Sequence, residues 1–163
     1  MLHDAINAYH ALLGDEALAS ATNQALTEGQ RERNLFFGVR PLATVLRPRF
    51  LTAAQYDLLR HGIGSVAAAL QRLGDALLAD SALRAGVALT AQEEALIARD
   101  PGYRFHSAHA RMDTFLTLDG ASLQFVEFNG ESPAAIAYED VLSDLFAGLP
   151  AMQRFARQYE IAP

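Results

Sequence analysis

Arg111-Met112-Asp113-Thr114-Phe115-Leu116-Thr117-Leu118-Asp119-Gly120-Ala121-Ser122-Leu123-Gln124-Phe125-Val126-Glu127-Phe128-Asn129 is where the hydrophobic period of the chain changes from 3.6 to 2. Everything before residue 111 and after residue 130 reads as helix, turn or extended connector. Two runs, Arg111 to Leu118 and Leu123 to Phe128, alternate and flank Asp119-Gly120, a strong hairpin signal. On the first run Met112, Thr114, Leu116 and Leu118 share one face; on the second, Gln124, Val126 and Phe128 do. These mainly apolar faces should pack on helices. Arg111, Asp113, Glu127 and Asn129 are then left together on the other face. Register decides whether they meet. A two-residue Asp119-Gly120 loop puts Asp113 opposite Val126. A three-residue loop, Asp119-Gly120-Ala121, puts Asp113 opposite Glu127 and Arg111 opposite Asn129. Only the odd loop keeps both apolar faces on one side, so it is the expected one. Val126 and Phe128 are then expected to be buried against the long helix that precedes the hairpin.

That helix is the strongest in the chain. Thr52 to Gln55 reads as a capping box, with Leu51 and Tyr56 as its staple. Apolar residues follow at Tyr56, Leu59, Ile63, Val66, Leu70, Leu73 and Leu77, alternating steps of three and four. Gly62, Gly64 and Gly74 interrupt it and mark places for close approach. It should end near Asp80, with a short extra turn over Ser81 to Gly86. Thr90 to Glu93 is a second capping box, opening a helix to about Arg99, and Asp100-Pro101-Gly102 ends it as a turn. Toward the N-terminus, Leu2 to Leu13 is helical and Gly14 stops it. Asp15 caps a second helix to about Gln30. Phe36-Phe37-Gly38-Val39-Arg40-Pro41 and Arg47-Pro48-Arg49-Phe50 place residues before proline, so 35–51 is an extended connector. Beyond the hairpin, 129–133 is a loop and Ala135 to Phe146 an amphipathic helix. Pro150 opens a last helix to about Tyr159. The fold class is α+β: one mainly helical domain over 1–163, with one antiparallel β-hairpin packed on a long helix.

Composition narrows function. The 163 residues hold 31 Ala and 24 Leu, a third of the chain, which favours helix. There is no Cys, so no disulfide, thiolate site or cysteine nucleophile. There is no Lys, since all 13 basic residues are Arg, which excludes Schiff-base chemistry and a phosphate-gripping lysine. A net charge of −6 argues against a nucleic-acid partner. The N-terminus lacks a basic region and apolar run, and no window approaches the length of a membrane span, so the expected setting is cytoplasmic, without a membrane partner.

Directly opposed carboxylates repel unless a cation sits between them. Oxygens of Asp113, Glu127 and Asn129 suit a hard ion such as Mg²⁺, and Arg111 offers a planar fork for a carboxylate or phosphate. The alternative is a solvated sheet face carrying an Arg–Asp pair. His106 and His109 could join a metal site or simply be solvated. Arg40, Arg47 and Arg49 could hold an anion or dock within the protein.

Taken in order, Arg111-Met112-Asp113, Val126-Glu127-Phe128-Asn129-Gly130-Glu131-Ser132-Pro133 and Ile136-Ala137-Tyr138 resemble the circularly permuted ATP-grasp family, which includes glutathionylspermidine-synthase-like ligases. Phe37-Gly38-Val39-Arg40-Pro41-Leu42 and Leu46-Arg47-Pro48-Arg49-Phe50-Leu51 also look like the family's N-terminal region. The resemblance implies ATP-dependent ligation of a small carboxylate substrate to an amine. It implies Mg²⁺ on Asp113, Glu127 and Asn129, with Arg111 catalytic and substrate-binding and Ser132 substrate-binding. A second serine of that branch is Ala134 here, so glutathione is not implied. ATP-grasp enzymes generally use lysines on ATP, and this chain has none. It is therefore expected to be the N-terminal part of a longer ligase, without an ATP site of its own and inactive alone, its partner being the missing ATP-grasp domain. The competing reading is a non-catalytic helical module that binds a ligand or protein.

Overall fold

A computed structural model describes residues 2–99 and 102–162; the expected turn at Asp100-Pro101 lies outside them. The order is α1 (Leu2–Leu13), α2 (Glu16–Glu32), β1 (Phe36–Phe37), β2 (Arg40–Pro41), α3 (Ala53–Ala79), α4 (Ser81–Arg84), a 3₁₀ turn (Ala85–Val87), α5 (Ala91–Ile97), β3 (Arg111–Leu116), β4 (Leu123–Asn129), α6 (Ile136–Gly148) and α7 (Pro150–Phe155). Both strand pairs are antiparallel and two-stranded. The fold is mainly helical α+β, as the periodicity predicts. Contacts group into two compact units, Met1–Thr52 with Ala134–Pro163, and Ala53–Pro133.

The first unit closes on aromatic rings. Tyr9 of α1 meets Phe50 and Phe155 edge-on, at centroid distances of 5.4 and 5.2 Å. Phe155 also stacks on Phe50 at 5.1 Å and on Tyr159 at 4.5 Å. Burial raises the Tyr9 hydroxyl's pKa, and that hydroxyl donates to the Leu46 carbonyl at 3.1 Å. Leu26, Leu35, Phe146, Leu149 and Met152 complete this core. The connector is ordered because Gln30, buried on α2, bonds both backbone groups of Ala43. Its Nε2 donates to the Ala43 carbonyl at 3.0 Å and its Oε1 accepts from the Ala43 N–H at 2.8 Å. Asp15 caps α2 as expected, accepting from the N–H groups of Ala17 and Leu18. Two of the boundaries that differ from the sequence reading shape this unit. The last helix ends at Phe155, leaving Tyr159 beyond it in position to stack. Ala135 is not helical but left-handed, at φ +91°, and α6 starts one residue later.

The second unit is built on α3. Two of its three glycines, Gly62 and Gly74, mark close approach, whereas Gly64, expected to do the same, faces open space: a Cβ at Gly62 would lie 2.8 Å from Leu123 Cδ2 and 3.2 Å from Phe125 Cζ. At Gly74 an added Cβ would overlap the His106 ring. The covered side of α3 thus includes Gln55, Gly62 and Gly74 as well as the apolar stripe. Tyr56, Ile63 and Leu73 of that stripe lie at its exposed edge. Among the described residues of this unit only Gln55 is buried. Its Nε2 donates to the carbonyls of Leu118 at 2.9 Å and Thr117 at 3.3 Å, tying the hairpin's end to the start of α3. Asp80 caps α4, and the Thr90–Glu93 capping box forms with both reciprocal bonds.

Candidate functional site

β3 and β4 pair Arg111 with Asn129, Met112 with Phe128 and Asp113 with Glu127. That is the register the apolar faces demand, but an odd-length loop does not produce it. Nearer the turn the partners are Thr114 with Phe125, Phe115 with Gln124 and Leu116 with Leu123, a register shift that leaves Val126 as a bulge. The Thr117 N–H donates to Ser122 O at 3.1 Å, so Leu118–Ala121 forms an even-numbered loop. Within it, Gly120 N–H donates to Thr117 O, and Gly120 takes φ +73°, where glycine is favoured. Asp119 accepts from the Thr117 hydroxyl at 2.6 Å and the Ala121 N–H at 3.0 Å. Those two bonds, the hydroxyl's first, hold its carboxyl below the ordinary Asp value. The Asp-Gly turn keeps its even loop, and one extra residue in β4 restores the alignment of the carboxylates.

The bulge changes which residues are covered. Leu123 and Phe125 face α3 at Gly62. Val126 and Phe128 were expected there, yet Val126 is 60% exposed and Phe128 43%. The Phe128 ring lies instead over Gly130, where an added Cβ would come 2.8 Å from its Cε1. Phe128→Ala should therefore cost only about 1–2 kcal/mol, since half the ring is already in water. Glu127→Gln should change stability by less than about 0.5 kcal/mol, because Gln keeps an acceptor and removes a like charge opposite Asp113. Denaturant melts of both variants in chelator check this. A larger loss for Glu127→Gln would make Glu127 a structural residue.

The other sheet face holds the four predicted polar side chains in one network. Arg111 Nε donates to Asp113 Oδ1 at 2.7 Å, and Nη2 reaches Oδ2 at 3.4 Å, a two-toothed grip. The hydrogen-bonding neighbours set the Asn129 amide orientation. Its oxygen accepts from Arg111 Nη2 at 3.2 Å and its nitrogen donates to Glu127 Oε1 at 3.2 Å. The network therefore runs Asp113–Arg111–Asn129–Glu127, about two-fifths exposed at its Arg–Asp end.

The donor types fit the Mg²⁺ that the resemblance implies: carboxylate and amide groups on two paired strands. The geometry adds that a cation already sits among them, the Arg111 guanidinium. Among the described residues no group of three or more His, Asp or Glu side chains is arranged around a metal position.

Ser132 lies in the loop after β4, exposed and left-handed at φ +42°. A non-glycine residue held there costs on the order of 1 kcal/mol. Ser132→Gly is thus expected to raise stability by about 0.5–1 kcal/mol, while Ser132→Ala, which keeps the strain, should not. Thermal melts of the two variants separate the backbone contribution from that of the hydroxyl.

His106 is held by α3. His106 Nε2 lies 2.9 Å from Asp75 Oδ1, and its backbone N–H donates to Gln71 Oε1 at 3.2 Å. This fixes the segment before β3 onto α3. Arg47 Nε donates to His10 Nε2 at 2.9 Å, so that arginine docks within the first unit. Sequence reasoning passed over Ser107. Its Oγ lies 2.8 Å from the Gly130 carbonyl and 2.7 Å from that of His109, steadying the chain just past Asn129. A lone serine in a loop gives no signal of such a role. No described helix is long and apolar enough to cross a membrane. The chain matches no protein-family model, no curated protein and no solved structure.

Proposed function

We propose that this chain carries the substrate- and metal-holding part of an ATP-dependent carboxylate–amine ligase of the circularly permuted ATP-grasp type. ATP would be held by a further ATP-grasp domain. The observation that supports this reading best is the pairing of Asp113 with Glu127 and Arg111 with Asn129 on one exposed sheet face. In that reaction the acid becomes an acyl phosphate and the amine displaces the phosphate. Arg111 orients the substrate carboxylate by its planar fork, and Ser132 offers a hydroxyl beside it. Asp113, Glu127 and Asn129 would hold Mg²⁺, which when bound neutralises charge on the phosphoryl oxygens. The absence of Lys supports placing the ATP contacts elsewhere.

A second reading is a non-catalytic module that binds a ligand or protein. It is favoured by the Arg111–Asp113 pair, which balances the Asp113 charge without any ion. A magnesium titration of the isotope-labelled chain followed by NMR distinguishes them. The ligase reading expects the Asp113, Glu127 and Asn129 amides to shift in the wild type and not in Glu127→Gln. Unmoved signals at tens of millimolar Mg²⁺ would leave the non-catalytic module. Calorimetry should give no low-micromolar dissociation constant for Mg-ATP with the chain alone.

A further inference from the structure

Resting on the ligase reading, we infer that Arg111 is an exchangeable counter-ion. A divalent cation and a carboxylate ligand should bind this face cooperatively, because each takes one member of the Arg111–Asp113 pair. The Nε–Nη2 edge of Arg111, the edge that grips a carboxylate with two bonds, is occupied by the carboxylate of Asp113 at 2.7 and 3.4 Å. Asp113 consequently turns both of its oxygens toward Arg111. The Asn129 oxygen also faces Arg111, at 3.2 Å. Glu127 alone of the three oxygen donors is bonded only by a neutral amide, that of Asn129.

The exchange of the Arg111–Asp113 pair by itself gives the sign. A carboxylate ligand binding alone replaces Asp113 on the guanidinium, so one pair forms and one breaks. The cation alone replaces Arg111 on Asp113, again forming one pair and breaking one. When both bind, one pair breaks and two form. Each ligand thus removes a cost that the other would meet, and by linkage each raises the other's affinity by the same factor. The factor is bounded by what the internal pair is worth. Its two side chains are 39% and 40% exposed, so the coupling is modest, roughly three- to fivefold.

The test uses magnesium chloride as the cation and acetate as the carboxylate. Mg²⁺ affinity is read from NMR shifts of the Asp113, Glu127 and Asn129 amides, in sodium acetate and in sodium chloride at equal ionic strength. The wild type is expected to bind Mg²⁺ three- to fivefold more tightly in acetate. Arg111→Gln is expected to bind Mg²⁺ more tightly than wild type in chloride, because Asp113 is released, and to show no acetate effect. Arg111→Lys keeps the charge without the two-toothed grip and should lose most of the acetate effect. It guards against misfolding of the Gln variant. Equal affinity in both salts, or no tightening in a folded Arg111→Gln, overturns the exchange while leaving the cation site in place. Absence of Mg²⁺-dependent shifts in the wild type overturns the ligase reading, and the exchange with it.

Discussion

Phe155→Ala is expected to destabilise the first unit by about 3–5 kcal/mol, the range for removing a buried aromatic side chain. Phe155 is 2% exposed and touches three other rings, Tyr9, Phe50 and Tyr159, at centroid distances between 4.5 and 5.2 Å. Those rings come from α1, from the connector and from the segment after α7, so the loss leaves a cavity that no single element can close. Edge-on and stacked ring contacts add to the area term. Urea melts followed by tyrosine fluorescence measure it. A loss under 1 kcal/mol would show that the aromatic cluster is loosely packed. Tyr9→Phe is the useful companion, because it keeps the ring and removes only the hydrogen bond to Leu46.

Much of this architecture is written locally and can be read locally. Gly14 and Asp15 separate α1 from α2 by stop and cap chemistry that involves only neighbouring residues. The Thr90–Glu93 box is equally local. The aromatic cluster is different. Tyr9, Phe50 and Phe155 are far apart in the chain, and no periodicity announces that they meet; only Phe155 and Tyr159, four residues apart, have the spacing of helical neighbours. Helical spacing even places Tyr159 inside the last helix. The structure ends that helix at Phe155, and the following turn brings the Tyr159 ring face-on to Phe155.

The candidate site was legible in its pairing and illegible in its means. Alternation of polar and apolar residues identified Asp113 opposite Glu127, because a one-residue slip would send one carboxylate through the sheet. The Asp119-Gly120 signal favoured an even loop, and alternation alone had to overrule it. Both signals are satisfied, since the even loop forms and Val126 bulges out between Phe125 and Glu127. A bulge has no distinctive residue signature here, so the contact with α3 expected of Val126 and Phe128 passed to Leu123 and Phe125. Gly62 was the remaining clue. A glycine in an otherwise strong helix marks the point where the two side chains across from it come closest.

Gln55→Ala should produce the second large effect, about 2–3 kcal/mol, and it should act on the hairpin that carries the site. Gln55 is 6% exposed, and its amide nitrogen serves the carbonyls of Thr117 and Leu118 together. Truncation removes those bonds and leaves two backbone acceptors near a hydrophobic helix face without this donor, which costs more than an exposed hydrogen bond. It also uncovers Gly120, whose nearest neighbour is Gln55 Cγ, 3.3 Å from where a Cβ would stand. The loss should appear as faster hydrogen exchange at the Thr117, Gly120 and Ser122 amides, as well as a lower denaturation midpoint. Asp113 and Glu127 lie at the far end of the same two strands, past the bulge. If the hairpin moves as one body on α3, loosening its turn should also weaken Mg²⁺ binding at that face. If the bulge acts as a hinge, turn exchange should rise while Mg²⁺ affinity stays at the wild-type value. Gln55→Glu, which keeps the size but cannot donate when ionised, should resemble Gln55→Ala at neutral pH. A near-neutral Gln55→Ala would mean that Leu123 and Phe125 on Gly62 hold the hairpin unaided.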